Sequence, residues 1–224
     1  MPRLVVLFVC CALFVVACGG DDSDEPAADA PTPAASAEEA PAGCKAVEQP
    51  DPRPDGDLAK PKGKLDPSKT YVATISTNCG DFEITLAVKQ QPKTAASFKH
   101  MADEKFFDGL SFHRIAPGFV IQGGDPKGDS TGSAGYSIVE TPPKDLVYTK
   151  GDVAMAKAQN EPPGTSSSQF FIVTGEQLQL PPDYALVGRV TGGEDTVDKI
   201  AVNGNDNEEP IDPVVMSSVT VTTK

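Results

Sequence analysis

Between Phe112 and Asp125 the chain reads Phe-His-Arg-Ile-Ala-Pro-Gly-Phe-Val-Ile-Gln-Gly-Gly-Asp. One cation, Arg114, sits inside an apolar run; a Pro-Gly turn follows, and a second apolar run ends on Gln122 and a glycine pair. A guanidinium among hydrophobic neighbours needs a partner for its charge or a task that uses it. The two runs, 106–115 and 118–122, read as strands joined by Ala116-Pro117-Gly118.

The pattern around this stretch is mainly β. Alternating residues at 71–77 and 82–86, with Asn78-Cys79-Gly80-Asp81 between them, predict a hairpin. Pro92 opens a helix to about Glu104, whose apolar face holds Ala95, Ala96, Phe98, Met101 and Ala102. A Gly-rich loop spans 123–135. Further strands are expected at 152–156, 169–174, 185–190 and 214–221, a loop at 157–167 and a short helix at 195–202. Many short strands with two helices suit a helix-capped barrel, though the pattern alone does not separate barrel from sandwich.

A second segment, Ser168-Gln169-Phe170-Phe171-Ile172-Val173-Thr174, follows the first. In this order and at this spacing the two resemble the cyclophilin family of peptidyl-prolyl cis-trans isomerases. The resemblance covers roughly Tyr71 to Lys224. It implies a closed eight-stranded antiparallel barrel capped by two helices, and a monomer that needs neither cofactor nor metal. The implied activity is rotation of X-Pro bonds, with proline-containing polypeptides as partners. The alternative is a cell-envelope module that binds proline loops, or acts as a chaperone, without turnover.

Imide rotation needs little covalent chemistry. The C–N bond has partial double-bond character and a barrier of about 18–20 kcal/mol. A cation that donates a hydrogen bond to the imide nitrogen favours the twisted state over the planar one. An apolar pocket must grip the pyrrolidine ring meanwhile. By the resemblance Arg114 is the catalytic cation, and Phe119 and Phe171 are pocket walls. Gln122 holds the substrate and the Arg, Gln169 is a polar wall, Ala156 lines the groove with its backbone, and Leu180 forms the rim. Val120 stands where many members carry Met, Lys157 where Asn is usual, and Tyr184 where His is common. Gln179 takes the place of a Trp found in eukaryotic members, and the loop 159–167, with Pro162-Pro163, is longer than usual.

The N-terminus carries different information. Arg3 precedes an apolar run from Leu4 to Ala17, too short for a bilayer span of roughly 20 residues. It reads as a secretory signal over residues 1–17. Val15-Val16-Ala17-Cys18-Gly19 resembles a bacterial lipobox, with Cys18 as the lipidation site. This implies a lipid anchor, the only membrane contact expected, on the outer face of a bacterial cell membrane. Residues 18–69, rich in Ala, Pro, Asp and Glu, lack the apolar surface to offset ordering entropy and are expected to form a mostly disordered tether. Cys44 and Cys79 would be the thiols left besides Cys18 after cleavage, and an exported protein favours their pairing.

Several classes are excluded. A formal net charge of -13 repels phosphate backbones, so nucleic acid is not an expected partner. The sequence has no P-loop, and its one Gly-x-Ser-x-Gly string, Gly128 to Gly132, lies in the Gly-rich loop and not at a strand-to-helix elbow. Its two histidines, His100 and His113, lack ligand-spaced partners, so no zinc site is expected. His113 reads as a satisfied core residue, and Asp206-Asn207-Glu208-Glu209 as a solvated loop.

Overall fold

A computed structural model describes residues 43–176 and 178–224. The signal segment and Cys18 lie outside them. The hairpin forms as β1 (Tyr71–Thr77) and β2 (Gly80–Leu86). Helix α1 (Pro92–Asp103) starts on its proline, and the Glu140 carboxylate caps it, accepting from the Lys93 amide at 3.1 Å and the Thr94 amide at 2.7 Å. Then come β3 (Arg114–Ala116), β4 (Val120–Gly123), β5 (Ile138–Val139), β6 (Asp152–Met155), β7 (Thr165–Ser166), β8 (Phe170–Val173) and β9 (Leu186–Gly192). Helix α2 (Glu194–Ala201) and β10 (Met216–Thr223) close the chain.

Eight strands make one antiparallel sheet in the order β10-β1-β2-β9-β6-β8-β4-β3, while β5 and β7 pair separately. The sheet curls into an open half-barrel, which corrects the expected closed barrel. Between its edges, β3 and β10, lie one bridge, Ser111–Val215, and main-chain hydrogen bonds such as Gly109 to Met216 (2.7 Å) and Phe112 to Val214 (2.9 Å). The reason is local. The stretch 106–113, expected as strand, is mostly turn and coil, because Lys105 (φ 56°) and Gly109 (φ 78°) bend the chain through left-handed conformations. Phe106 and Phe107 then pack into the core side instead of alternating across a sheet.

The sheet buries both faces. Ile115, Ile121, Val153, Met155, Phe170 and Ile172 enter the main core with Phe98, Phe107 and Phe112. Their neighbours Ala116, Val120, Ala154, Phe171 and Val173 form a second apolar cluster on the opposite face. This explains the unbroken Phe-Phe-Ile-Val of β8: a strand covered on both sides has no polar face to show.

The second half of the expected tether is also ordered. From Gly43 onward the chain forms a strap with no strand or helix of its own. The amides of Arg53, Gly56 and Leu58 donate to the carbonyls of Pro126, Ser133 and Ala134 at 2.8, 2.8 and 3.1 Å. Asp55 accepts from the Ser133 amide at 2.8 Å and pairs with Lys127 at 2.9 Å; the Lys127 hydrogen bond holds its carboxyl below the usual range. Leu58 and Leu65 rest on the core. Composition misled here because the strap docks mainly through its backbone. Cys44 and Cys79 are joined by a disulfide, sulfur to sulfur 2.02 Å.

Candidate active site

Strand register assembles the site. Arg114 pairs with Gln122 across β3–β4, Gln122 with Phe171 across β4–β8, and Phe171 with Ala154 across β8–β6. Directly paired residues share a face, so one row across four strands carries the cation, the amide and an aromatic wall. The Pro117-Gly118 turn, with Gly118 at φ 70°, reverses the chain and brings Phe119 into the same cluster.

Arg114, Phe119, Val120, Gln122, Ala156, Lys157, Phe171, Leu180 and Tyr184 line one cleft of about 280 Å³. Gln169 stands beside it in a groove of about 340 Å³ that shares Gln122, Ala156 and Lys157 with the cleft. All ten sequence-derived site residues thus gather in one region. Cys44 and Cys79 belong to the strap and the hairpin turn instead.

A polar chain runs through the site. Arg114 Nη1 donates to Gln122 Oε1 at 3.2 Å, Gln122 Nε2 to Gln169 Oε1 at 3.0 Å, and Gln169 Nε2 to the Gly132 carbonyl at 3.0 Å. The guanidinium carbon lies 5.8 Å from the Phe119 ring centroid, within cation–π range. Phe171 and Tyr184 meet edge to face at 5.4 Å. The Ala156 amide is taken by the Gln169 carbonyl at 2.8 Å. Lys157 turns back onto its own loop: its Nζ donates to the carbonyls of Ala158 and Glu161 and sits 5.7 Å from the Tyr184 ring centroid.

Sequence reasoning missed several residues of the site. Gln159 lines the cleft, and Ser130–Ser133 line the side groove. Glu208, read as part of a solvated loop, binds Arg114: Nε donates to its Oε2 at 2.7 Å, and Nη2 lies 2.7 Å from the same oxygen. The two residues are 94 positions apart, and no spacing rule links them. His113 is also not as expected. Both ring nitrogens are buried without a partner among the described residues, and burial, only partly opposed by Asp125, pushes its pKa below the usual 6.5.

An arginine fixed beside an apolar cleft on a curled antiparallel sheet fits a catalyst that turns an imide bond. A family model described as cyclophilin type peptidyl-prolyl cis-trans isomerase matches residues 72–221, and the chain belongs to that family. It is 37% identical over 176 residues to the peptidyl-prolyl cis-trans isomerase A of Mycobacterium tuberculosis, covering 69% of this chain and 94% of that one. It is 36% identical over 172 residues to the peptidyl-prolyl cis-trans isomerase B of Streptomyces anulatus, covering 68% and 97%. Among solved structures, a cyclophilin type isomerase from Cryptosporidium parvum matches with a TM-score of 0.64 at 28% identity, covering 69% of this chain and 99% of that one. That protein was also solved in the presence of the dipeptide Ala-Pro, with a TM-score of 0.63. The activity of this chain is accordingly peptidyl-prolyl cis-trans isomerisation.

Proposed function

We propose that the cleft between Arg114 and Phe171 is where the X-Pro bond turns. Phe119, Val120, Phe171, Leu180 and Tyr184 enclose the pyrrolidine ring, and Arg114 donates to the imide nitrogen as its lone pair develops. Gln122, Gln169, Ala156 and Lys157 hold the flanking peptide. The observation that carries this reading is the Arg114–Gln122 hydrogen bond at the edge of an apolar cleft. It keeps a cation oriented where the planar ground state makes least use of it and the twisted state most. Exchange spectroscopy on an Ala-Pro peptide tests it. Arg114→Ala should lose about a hundred- to a thousandfold in kcat/KM while its circular dichroism and melting curve stay near the parent's. A folded Arg114→Ala protein that isomerises at the parent rate would remove Arg114 from the chemistry. Arg114→Lys, which keeps the charge but loses the planar fork, should recover only part of the activity.

We further propose that the protein works as a monomer on exported chains, held by acylated Cys18 at the outer face of a bacterial cell membrane. The Val15–Gly19 motif supports this. Several acyl chains anchor firmly where one binds marginally. Fractionation of Cys18→Ala decides the matter: a variant as membrane-bound as the parent rules the anchor out.

A further inference from the structure

We infer that Glu208 is a positioning residue for the isomerase reaction, holding the Arg114 guanidinium in its working orientation. The inference rests on the reading of Arg114 as the catalytic cation. A guanidinium has five N–H donors. Here Nε and Nη2 face Glu208 Oε2, both at 2.7 Å, and Nη1 donates to Gln122 at 3.2 Å. Two side chains from different parts of the chain thus fix the plane of the group, and among the described residues one N–H on each terminal nitrogen has no other partner and is left for a substrate.

The loop that delivers Glu208 is built to do so. The Asn205 carbonyl accepts from the Glu208 amide at 3.0 Å, and Asn205 Oδ1 accepts from the amides of Asn207 and Glu209 at 2.8 and 3.0 Å. Asn203 closes the base of the loop on Asp212 through its side-chain amide. The Glu208 carbonyl in turn accepts from the Ile115 amide, one residue beyond Arg114, at 2.9 Å. A Cβ at Gly204 would run into the Ile115 carbonyl, so the loop lies directly on β3.

Glu208 itself has φ 63°, a left-handed conformation that a side chain of this kind rarely takes. Stability alone would favour glycine or asparagine there. Nor is the ion pair a strong stabiliser, since its side chains are 31% and 47% exposed. A strained residue making a weak surface pair with the site cation is better explained by what it does to that cation.

The test compares the parent with Glu208→Gly, Glu208→Gln and Arg114→Ala on an uncharged Ala-Pro peptide, with melting curves for each. Glu208→Gly should lose about fivefold in kcat/KM, the size of an exposed ion pair, with an unchanged or higher melting temperature. Glu208→Gln keeps an acceptor at the same reach and should fall between the two. Added salt should erode the parent rate toward that of Glu208→Gly and leave the glycine variant unmoved, because exposed charges are screened. Parent rates in both Glu208 variants, with Arg114→Ala inactive, would overturn this role and leave the reading of the cleft standing. A Glu208→Gly protein whose melting temperature falls along with its rate would also overturn it, making Glu208 a loop-folding residue only. An active Arg114→Ala would take down both.

Discussion

The Tyr148 hydroxyl donates to the Tyr184 carbonyl at 2.5 Å and accepts from the Tyr184 amide at 3.0 Å, so one phenol satisfies both main-chain groups of a cleft residue. Tyr148 is buried under the site in the same apolar cluster as Phe171. Tyr148→Phe would leave those two groups unpaired. The expected cost is about 1–3 kcal/mol, read in a denaturant melt, together with a weaker grip on substrate as Tyr184 loosens. A variant with parent stability and parent KM would refute that role.

The same phenol carries a pH signature. Burial pushes its pKa from 10.0 up to about 12. Between those values the unfolded chain has released a proton that the folded protein keeps. Stability from this group is therefore complete below pH 10 and falls as pH rises toward 12. Tyr136 is also pushed upward by burial and adds to the same arm, so the informative quantity is a difference between proteins. Tyr148→Phe should show a shallower alkaline decline than the parent. Superimposable slopes would place the titration elsewhere.

Docking of the strap is tested at Gly56. A Cβ there would come within 2.7 Å of Phe106 Cε2 and 2.8 Å of the Ala134 carbonyl. Gly56→Ala should therefore lose about 1–3 kcal/mol, as overpacked sites do. An unchanged melting curve would mean that the segment does not rest where the structure puts it.

The cysteine bridge spans 35 residues. Closing a loop of that length removes chain entropy worth about 3–4 kcal/mol from the unfolded state. Mass measurement of unreduced exported protein should find Cys44 and Cys79 resistant to alkylation, and reduction should lower the melting temperature. Two freely alkylated cysteines would rule the bridge out.

What could be read in advance followed physical rules with short range. β2 alternates along its length, β1, β9 and β10 are rich in apolar and β-branched residues, and α1 starts on Pro92, so their places were legible to within a few residues. The cleft was legible only through the family resemblance of its two motifs; what joins Arg114, Gln122 and Phe171 physically, the pairing of β3, β4 and β8, came with the structure. The aromatic stretch after α1 was not, since its fate depends on two left-handed turns that composition does not announce. β5 and β7 went unread because two-residue strands leave almost no pattern. The strap looked disordered because its attachments are main-chain amides, which every residue has. Glu208 was hidden for another reason: a turn at positive φ in a distant loop decides which acid meets Arg114.

The position of the disulfide governs how a mechanical pull would travel. A force applied to the chain on the N-terminal side of Cys44 passes through sulfur to Cys79, in the turn between β1 and β2. Both strands are interior members of the eight-stranded sheet, each flanked by another strand. Residues 45–69, with the Pro126–Ala134 loop they hold against the side groove, form a longer parallel branch that the bond bypasses. The staple thus serves as a strain relief: the chain upstream can be tugged while the groove keeps its shape.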